Sequence, residues 1–390
     1  MAHQIRARWT FAIVSVAWFA FALDRLVVAT ALPSIRTDLG ADTAGLEWIV
    51  NAYTLSFAVL LTTGAALGDR FGRRRMFTTG MAVFTVGSGA AALAPDVAAL
   101  VAARAVQGVG GAIFTPLMLT MLARVTPAHR RGTVLGAWGA IGGLGAALGP
   151  LVGGALAGGA GWRWIFWLNV PLGLALVPLA RVRLDESHGP RQRLDVVGAV
   201  LCSIGLLGVV SGVIRAGSVG WTNTGQVATA AVGLLALFGF VAWELRAPTP
   251  MLPLRFFGNR VFAVAGAAAL MMYAALFGAL FLVTQFLQIG LGASPVQAGL
   301  RTLPMAVMPM VLAPVGGRLS DRFGFRPLMI SGLALVAVGL AWLAATASPH
   351  VHYAALVPGQ VLTGAGSALF FAPLAAAVLS SVTADEQGKA

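Results

Sequence analysis

The sequence predicts an all-α integral membrane protein with about twelve transmembrane helices, and three observations carry that prediction. The chain of 390 residues is 58% apolar and only 10% charged, with a mean hydropathy of +0.86, whereas a soluble domain carries about a quarter charged residues and under half apolar ones. The apolar residues fall in runs of roughly twenty, the length of helix that crosses about 30 Å of hydrocarbon. Short clusters of Arg, Gly, Pro and Asp separate the runs, and they gather the basic residues on alternate loops.

Taken against those breaks, helices are expected near 10–32, 47–68, 76–94, 98–122, 132–157, 164–181, 195–214, 225–244, 260–288, 296–317, 327–346 and 353–382. The first run follows Arg6 and Arg8 and leads to Ala29-Thr30-Ala31, which imitates a cleavable signal peptide. Asp24-Arg25 interrupts it where a signal would be uncharged, so it is read as the first helix.

The basic residues then set the topology. Arg6, Arg8, Arg70, Arg73, Arg74, Arg75, Arg124, Arg130, Arg131, Arg181, Arg183, Arg191, Arg193, Arg246, Arg255, Arg260, Arg318, Arg322, Arg326 and Lys389 collect on one side. Arg36, Arg163 and Arg215 fall on the other, and Arg25, Arg104 and Arg301 lie within or at the edge of spans. Cytoplasmic loops hold the excess of Lys and Arg, so both termini are expected in the cytoplasm and the protein in the inner membrane. The net charge of +13 is topological, not the footprint of a nucleic-acid binder.

Several chemistries are disfavoured. The single cysteine, Cys202, sits in an apolar run, so there is no disulfide framework and no thiolate zinc site. No Gly-x4-Gly-Lys-Ser/Thr loop occurs to bind ATP, and no His-Glu-x-x-His motif is present. His3, His129, His188, His350 and His352 fall in loops or near the N-terminus. An intramembrane enzyme, a metal or a cofactor is therefore not expected.

The chain also echoes itself. "GAALGDRFGRRR" at Gly64 to Arg75 follows the second run, and "GGRLSDRFGFRP" at Gly316 to Pro327 follows the tenth, with Asp, Arg, Phe and Gly in one register and an Arg two residues beyond. Such a repeat implies a duplicated bundle. The expected organisation is a six-helix bundle over 1–182, an inserted pair of helices over 183–258, and a second bundle over 259–390.

Four motifs carry a family resemblance: "GDRFGRRR" (Gly68 to Arg75), "RAVQGVGGA" (Arg104 to Ala112), "GAALGPLVGG" (Gly145 to Gly154) and "WRWIFWLNVP" (Trp162 to Pro171). With "LDRLVVATALPSI" from Leu23, they make the chain resemble a fourteen-helix drug:proton antiporter of the major facilitator superfamily. The resemblance implies a proton-driven exporter of small amphipathic compounds that works by alternating access, acts as a monomer and has protons, a small-molecule substrate and the bilayer as partners. It also implies fourteen helices, which leaves the second bundle with four of six. The alternative is therefore a truncated, non-transporting descendant of such an exporter.

Each motif has a physical reading beside the implied one. Gly68, Asp69, Arg70, Gly72, Arg73 and Arg74 form a glycine turn with a positive-inside anchor, and by resemblance a gating loop in which Asp69 pairs with a basic neighbour; Asp321 and Arg322 are the weaker counterpart. Gly145, Gly149, Pro150, Gly153 and Gly154 let helices approach closely, and by resemblance mark an antiporter.

Arg104 is an ionised group in an apolar span, which requires a partner or a cavity. Gln107, Gly108, Gly111 and Thr115 share its helix face. Gln107 is open to two readings, a pocket residue or an interhelical hydrogen bond. Asp24 is the one carboxylate well inside a span. Burial opposes its ionisation and a guanidinium nearby favours it, so it is the expected proton carrier; the alternative is a structural ion pair with Arg104, which predicts no pH-dependent flux.

Arg25 stands where the family has a small hydroxyl residue, and Ala29 where it has Asn. Neighbouring helix residues diverge by about 100°, so Arg25 cannot share Asp24's direction. Asn51, Tyr53, Gln107, Trp138, Tyr273, Gln285 and Gln288 are candidates to line a midplane pocket. With no second buried acid, amphipathic or weakly charged compounds are expected in preference to dications.

Overall fold

A computed structural model describes residues 2–127, 130–189, 195–220, 223–248, 250 and 252–380. His129, Arg191, Arg193 and Lys389 lie outside the described residues, as do the side chains of His3, Arg131, Pro150 and Arg215. The helices are α1 (Ala2–Leu39), α2 (Thr43–Phe71), α3 (Arg73–Ala92), α4 (Val97–Val125), α5 (Arg131–Gly159), α6 (Arg163–Trp167), α7 (Asn169–Arg183), α8 (Val196–Val219), α9 (Thr224–Glu244), α10 (Arg260–Gln285), α11 (Pro295–Phe323), α12 (Phe325–Thr346) and α13 (Tyr353–Ser380). A π-helical turn, Phe286–Gly290, extends α10.

With α6 and α7 counted as one interrupted helix, each expected helix is present. Among the described residues, eleven helices are long and apolar enough to cross a membrane. The membrane-length helix outside that set is α3, which opens on Arg73, Arg74 and Arg75 and carries Thr78, Thr79, Thr85 and Ser88. Its polar residues turn out to have structural work, as described below.

The helix ends are closed by side chains, as they must be where backbone donors leave the bilayer. Asp42, Asp96 and Asp195 each accept the backbone N–H three residues on, at 2.7, 2.8 and 2.8 Å. Ser294 and Gln297 form a reciprocal capping box at the start of α11.

The buried core falls into separate sets. Ile13, Phe21, Phe77, Phe84, Phe114 and Leu176 lock one end of α1–α7, and Leu23, Ile35, Ile49, Leu100 and Phe166 lock the other. Met272, Val336 and Phe370 join α10, α12 and α13, while Leu287, Ala298, Leu343 and Leu356 draw in α11. α8 and α9 pack on each other as a hairpin, with α8 also touching α2, and α5 against α11 is the chief seam between the first seven helices and the last four. Large apolar side chains such as Leu235 and Phe238 of α9 and Leu270 and Phe281 of α10 remain exposed, as suits faces meant for lipid.

The two copies of the repeated loop share a backbone device. Gly72 joins α2 to α3 with φ +102° and Gly324 joins α11 to α12 with φ +81°. Both angles lie where a Cβ is strained, which is why each copy keeps glycine after Phe.

The glycine stripe of α5 lies on α1. A Cβ on Gly145 would meet the Phe19 carbonyl, one on Gly149 would sit 2.8 Å from Leu26 Cβ, and one on Gly153 would sit 2.7 Å from the Val27 carbonyl. Gly142 faces the Trp18 indole, and Gly154 is half-buried beside the stripe. Gly153→Ala is therefore expected to destabilise the fold by about 1–3 kcal/mol through overpacking, read as a lower midpoint of thermal unfolding in detergent. Gly139→Ala, on the same helix with open space around it, should not.

Candidate functional site

α1, α3, α4 and α7 each send a polar side chain to one point inside the first group of helices. Asp24 of α1 is fully buried, and so is Arg104 of α4. Arg104 Nη1 donates to Asp24 Oδ2 at 2.9 Å. Asp24 Oδ1 accepts from Gln107 Nε2 at 2.9 Å and from Asn169 Nδ2 at 2.7 Å. The carboxylate thus receives three donors, the hydrogen-bond complement of an ionised acid.

The remaining valences are filled from the surroundings. Ser88 of α3 accepts from Gln107 Nε2 at 3.3 Å and Asn169 Nδ2 at 3.1 Å, and donates to the Phe166 carbonyl at 2.9 Å. That carbonyl lies at the break between α6 and α7, and the break sets Asn169 at the start of α7. Arg104 also donates to Gln107 Oε1 at 2.6 Å and to the Ile49 carbonyl at 3.4 Å. Its guanidinium lies over the Tyr53 ring at 4.1 Å from the centroid. The Asn169 Oδ1 is buried without a partner among the described residues.

Spacing on α4 is what makes this possible. Arg104 and Gln107, one turn apart, present one face toward α1, α2 and α3. Gly108 on that face presses on the Tyr53 carbonyl, and a Cβ on Gly87 of α3 would lie 2.8 Å from the Gln107 backbone nitrogen. Small residues bring the backbones close enough for short polar side chains to meet.

At the arginine-rich end, Arg73 donates from Nε and Nη2 to Asp69 Oδ1 at 2.9 and 2.7 Å, so the acid of the repeated loop pairs within its own turn. The segment after α7 straps this loop. Glu186 accepts from the backbone N–H groups of Arg74 and Arg75 at 2.9 and 3.2 Å, placing a carboxylate at the N-terminus of α3 where the helix dipole favours it. Arg73 N donates to the Ser187 carbonyl at 2.8 Å and Gly189 N to the Asp69 carbonyl at 3.1 Å. The second copy is bare. Asp321 and Arg322 are exposed, with no ion pair between them among the described residues; Arg322 lies instead over Phe323, at 5.2 Å.

The pocket candidates divide. Tyr53 and Gln107 are buried at 2% and 0% exposure and belong to the Asp24 network, in which Gln107 of α4 hydrogen-bonds to α1 and α3. Trp138 is half-buried, stacked on Trp18 at 4.7 Å, and Asn51 and Gln288 are half-buried. Tyr273 and Gln285 are exposed on α10.

Sequence reasoning missed Ser88, Asn169 and Glu186. The one available signal was Asn169 itself, an amide in the otherwise apolar "FWLNVP" stretch.

Removing one partner of the central pair should strand the other. Asp24→Ala leaves a buried guanidinium without a counterion, at a cost of about 3–5 kcal/mol. The double change Asp24→Ala with Arg104→Met should unfold at a higher temperature than Asp24→Ala alone, measured by thermal unfolding in nanodiscs.

Comparison with known proteins agrees with this architecture. The profile described as Major Facilitator Superfamily matches residues 14–390. The multidrug resistance protein Stp of Mycobacterium tuberculosis is 35% identical over 377 residues, covering 95% of this chain and 69% of the relative. The tetracenomycin C resistance and export protein of Streptomyces glaucescens is 38% identical over 343 residues, covering 87% and 64%. The cephamycin export protein of Amycolatopsis lactamdurans is 37% identical over 387 residues, covering 96% and 78%. The chain thus spans roughly two thirds to four fifths of the length of these relatives. Among solved structures, the proton:xylose symporter XylE superposes with a TM-score of 0.66 at 17% identity over 98% of this chain and 84% of the other. By its fold and by its sequence, this multi-pass membrane chain belongs to the Major Facilitator Superfamily.

Proposed function

We propose that the protein is a proton-coupled secondary transporter that exports small amphipathic compounds by alternating access. The observation that carries the reading is the buried Asp24–Arg104 pair, an ionisable acid held by a cation inside a span. Such groups in a membrane mark proton or ion pathways. The names of the relatives, a multidrug resistance protein and two antibiotic export proteins, favour drug efflux over an enzyme or a non-transporting protein.

In this reading Asp24 carries the proton and Arg104 is its counterion. A proton arriving on Asp24 removes the charge that holds the guanidinium, and the neutral acid becomes a donor. The unpartnered Asn169 Oδ1, on the amide already touching Asp24, is an acceptor at hand for it. Arg104 would keep Gln107 Oε1 and the Tyr53 ring but lose its ion pair, which loosens α1 from α4. Since α1 is seated on the glycine stripe of α5, and α5 forms the seam with α11, movement there shifts one group of helices against the other.

The Asp69–Arg73 turn, clamped by Glu186, serves as the gate at the cytoplasmic end, with Asp321 and Arg322 at the second copy. The assignment of that end follows from its arginines. It puts the N-terminus inside the cell, and the protein in the cytoplasmic membrane. The energy source is the proton gradient, with no cofactor, and the working unit is one chain organised as 1–182, 183–258 and 259–390.

The test is efflux of a fluorescent amphipathic dye from vesicles holding the protein under an imposed proton gradient. Efflux should collapse with an uncoupler and fall at least about tenfold in Asp24→Asn, in protein that still elutes as a single species. Uncoupler-resistant efflux, or full gradient-driven efflux in Asp24→Asn, would contradict the assignment.

A further inference from the structure

Arg25 follows Asp24 in α1 and meets the opposite surroundings: Asp24 is fully buried and Arg25 is exposed. Along the helix axis Arg25 lies about 21 Å from Leu39 and further still from Arg6, deep within the span Arg6–Leu39. A guanidinium exposed at that depth does not face hydrocarbon; it faces a water-filled space or a protein partner. Its neighbour Phe57 lies on α2, so that space is bounded by α1 and α2.

In that space the charge is not cancelled. Among the described residues Arg25 makes no hydrogen bond and no ion pair. Its neighbours are the faces of Phe21 and Phe57, with centroids at 6.0 and 5.9 Å. Asp24 is the one carboxylate deep in a span among the described residues, and Arg104 takes up its charge. The other described carboxylates lie in loops or within about a turn of helix ends. Of these rings Phe57 is half-buried and Phe21 is core; Phe21 in turn backs the half-buried Trp18 at 5.6 Å, and Trp18 stacks on the half-buried Trp138.

We propose that Arg25 selects the transported compound by charge, and that this compound is an amphipathic monoanion. Its carboxylate, sulfonate or phenolate pairs with the guanidinium while a planar apolar body lies against the half-buried rings of Phe57 and Trp18. A cation carrier needs an unpaired acid at this depth, and the described residues offer an unpaired base instead. The proposal deepens the exporter reading and rests on it for the direction of movement, not for the charge preference.

The experiment uses three naphthalene probes of one size, a carboxylate, its carboxamide and an aminomethyl analogue. Their binding to the 390-residue protein in nanodiscs is followed by tryptophan quenching, and their uncoupler-sensitive efflux is followed in vesicles. The carboxylate should bind at least about tenfold more tightly than the ammonium, the scale of one charge-assisted hydrogen bond. Arg25→Gln should abolish that preference and Arg25→Lys should keep part of it, with elution profile and helical circular dichroism certifying both variants. A wild-type protein that binds the ammonium as well as the carboxylate overturns the proposal without any variant, and so does a preference that survives Arg25→Gln. If no probe shows uncoupler-sensitive efflux while the binding preference holds, the exporter reading fails and the charge preference stands.

Discussion

A carboxylate and a guanidinium buried in one membrane span's depth must neutralise each other, and this constraint organises the first seven helices. Neither Asp24 nor Arg104 can be solvated from outside, and an unpartnered charge there costs several kcal/mol. The pair at 2.9 Å fixes the height of α1 against α4. Gln107, Ser88 and Asn169 then tie α3 and the start of α7 to the same point. The helix break at Leu168 and the polar face of α3, both odd for a membrane bundle, follow from this requirement.

Close approach is the second condition. Polar side chains as short as Asp and Ser bridge helices only where backbones nearly touch, and glycine supplies that on two fronts. On α4 and α3, Gly108 and Gly87 remove the bulk beside the network, and on α5 the stripe from Gly142 to Gly153 seats α1. The motif that resembles an antiporter mark is thus the surface on which α1, the helix that carries Asp24, rests. The arginine-rich end follows the same economy: Glu186 satisfies the first donors of α3 and holds the Asp69–Arg73 turn in shape.

Much of this was legible from residues alone. Runs of apolar residues located the helices to within several residues, with α3 the weakest because its arginines and hydroxyls lower its hydropathy. The opposite directions of Asp24 and Arg25 follow from helix geometry, and Arg104 announced its need of a partner. Ser88 was not legible and Asn169 showed only as an amide in an apolar stretch, because an uncharged polar residue in a span looks alike whether it packs, lines a cavity or meets an acid 145 positions away. The same ambiguity surrounds Tyr53 and Gln107, pocket candidates whose neighbour is the Arg104 guanidinium. The role of Glu186 was hidden because it depends on a loop folding back over a helix start.

The central claim is that the acid now ion-paired with Arg104 is the group that takes up a proton during the cycle. The most direct test is infrared difference spectroscopy of the protein in lipid between neutral and acidic pH, with the carboxylic acid stretch as the readout. The account predicts that acidification of the folded protein brings up a band from a protonated acid shielded from water, and that this band is missing in Asp24→Asn. The absence of any such band while the protein stays folded, or its persistence in Asp24→Asn, would show that the Asp24–Arg104 pair is a fixed structural bridge and that the proton travels elsewhere.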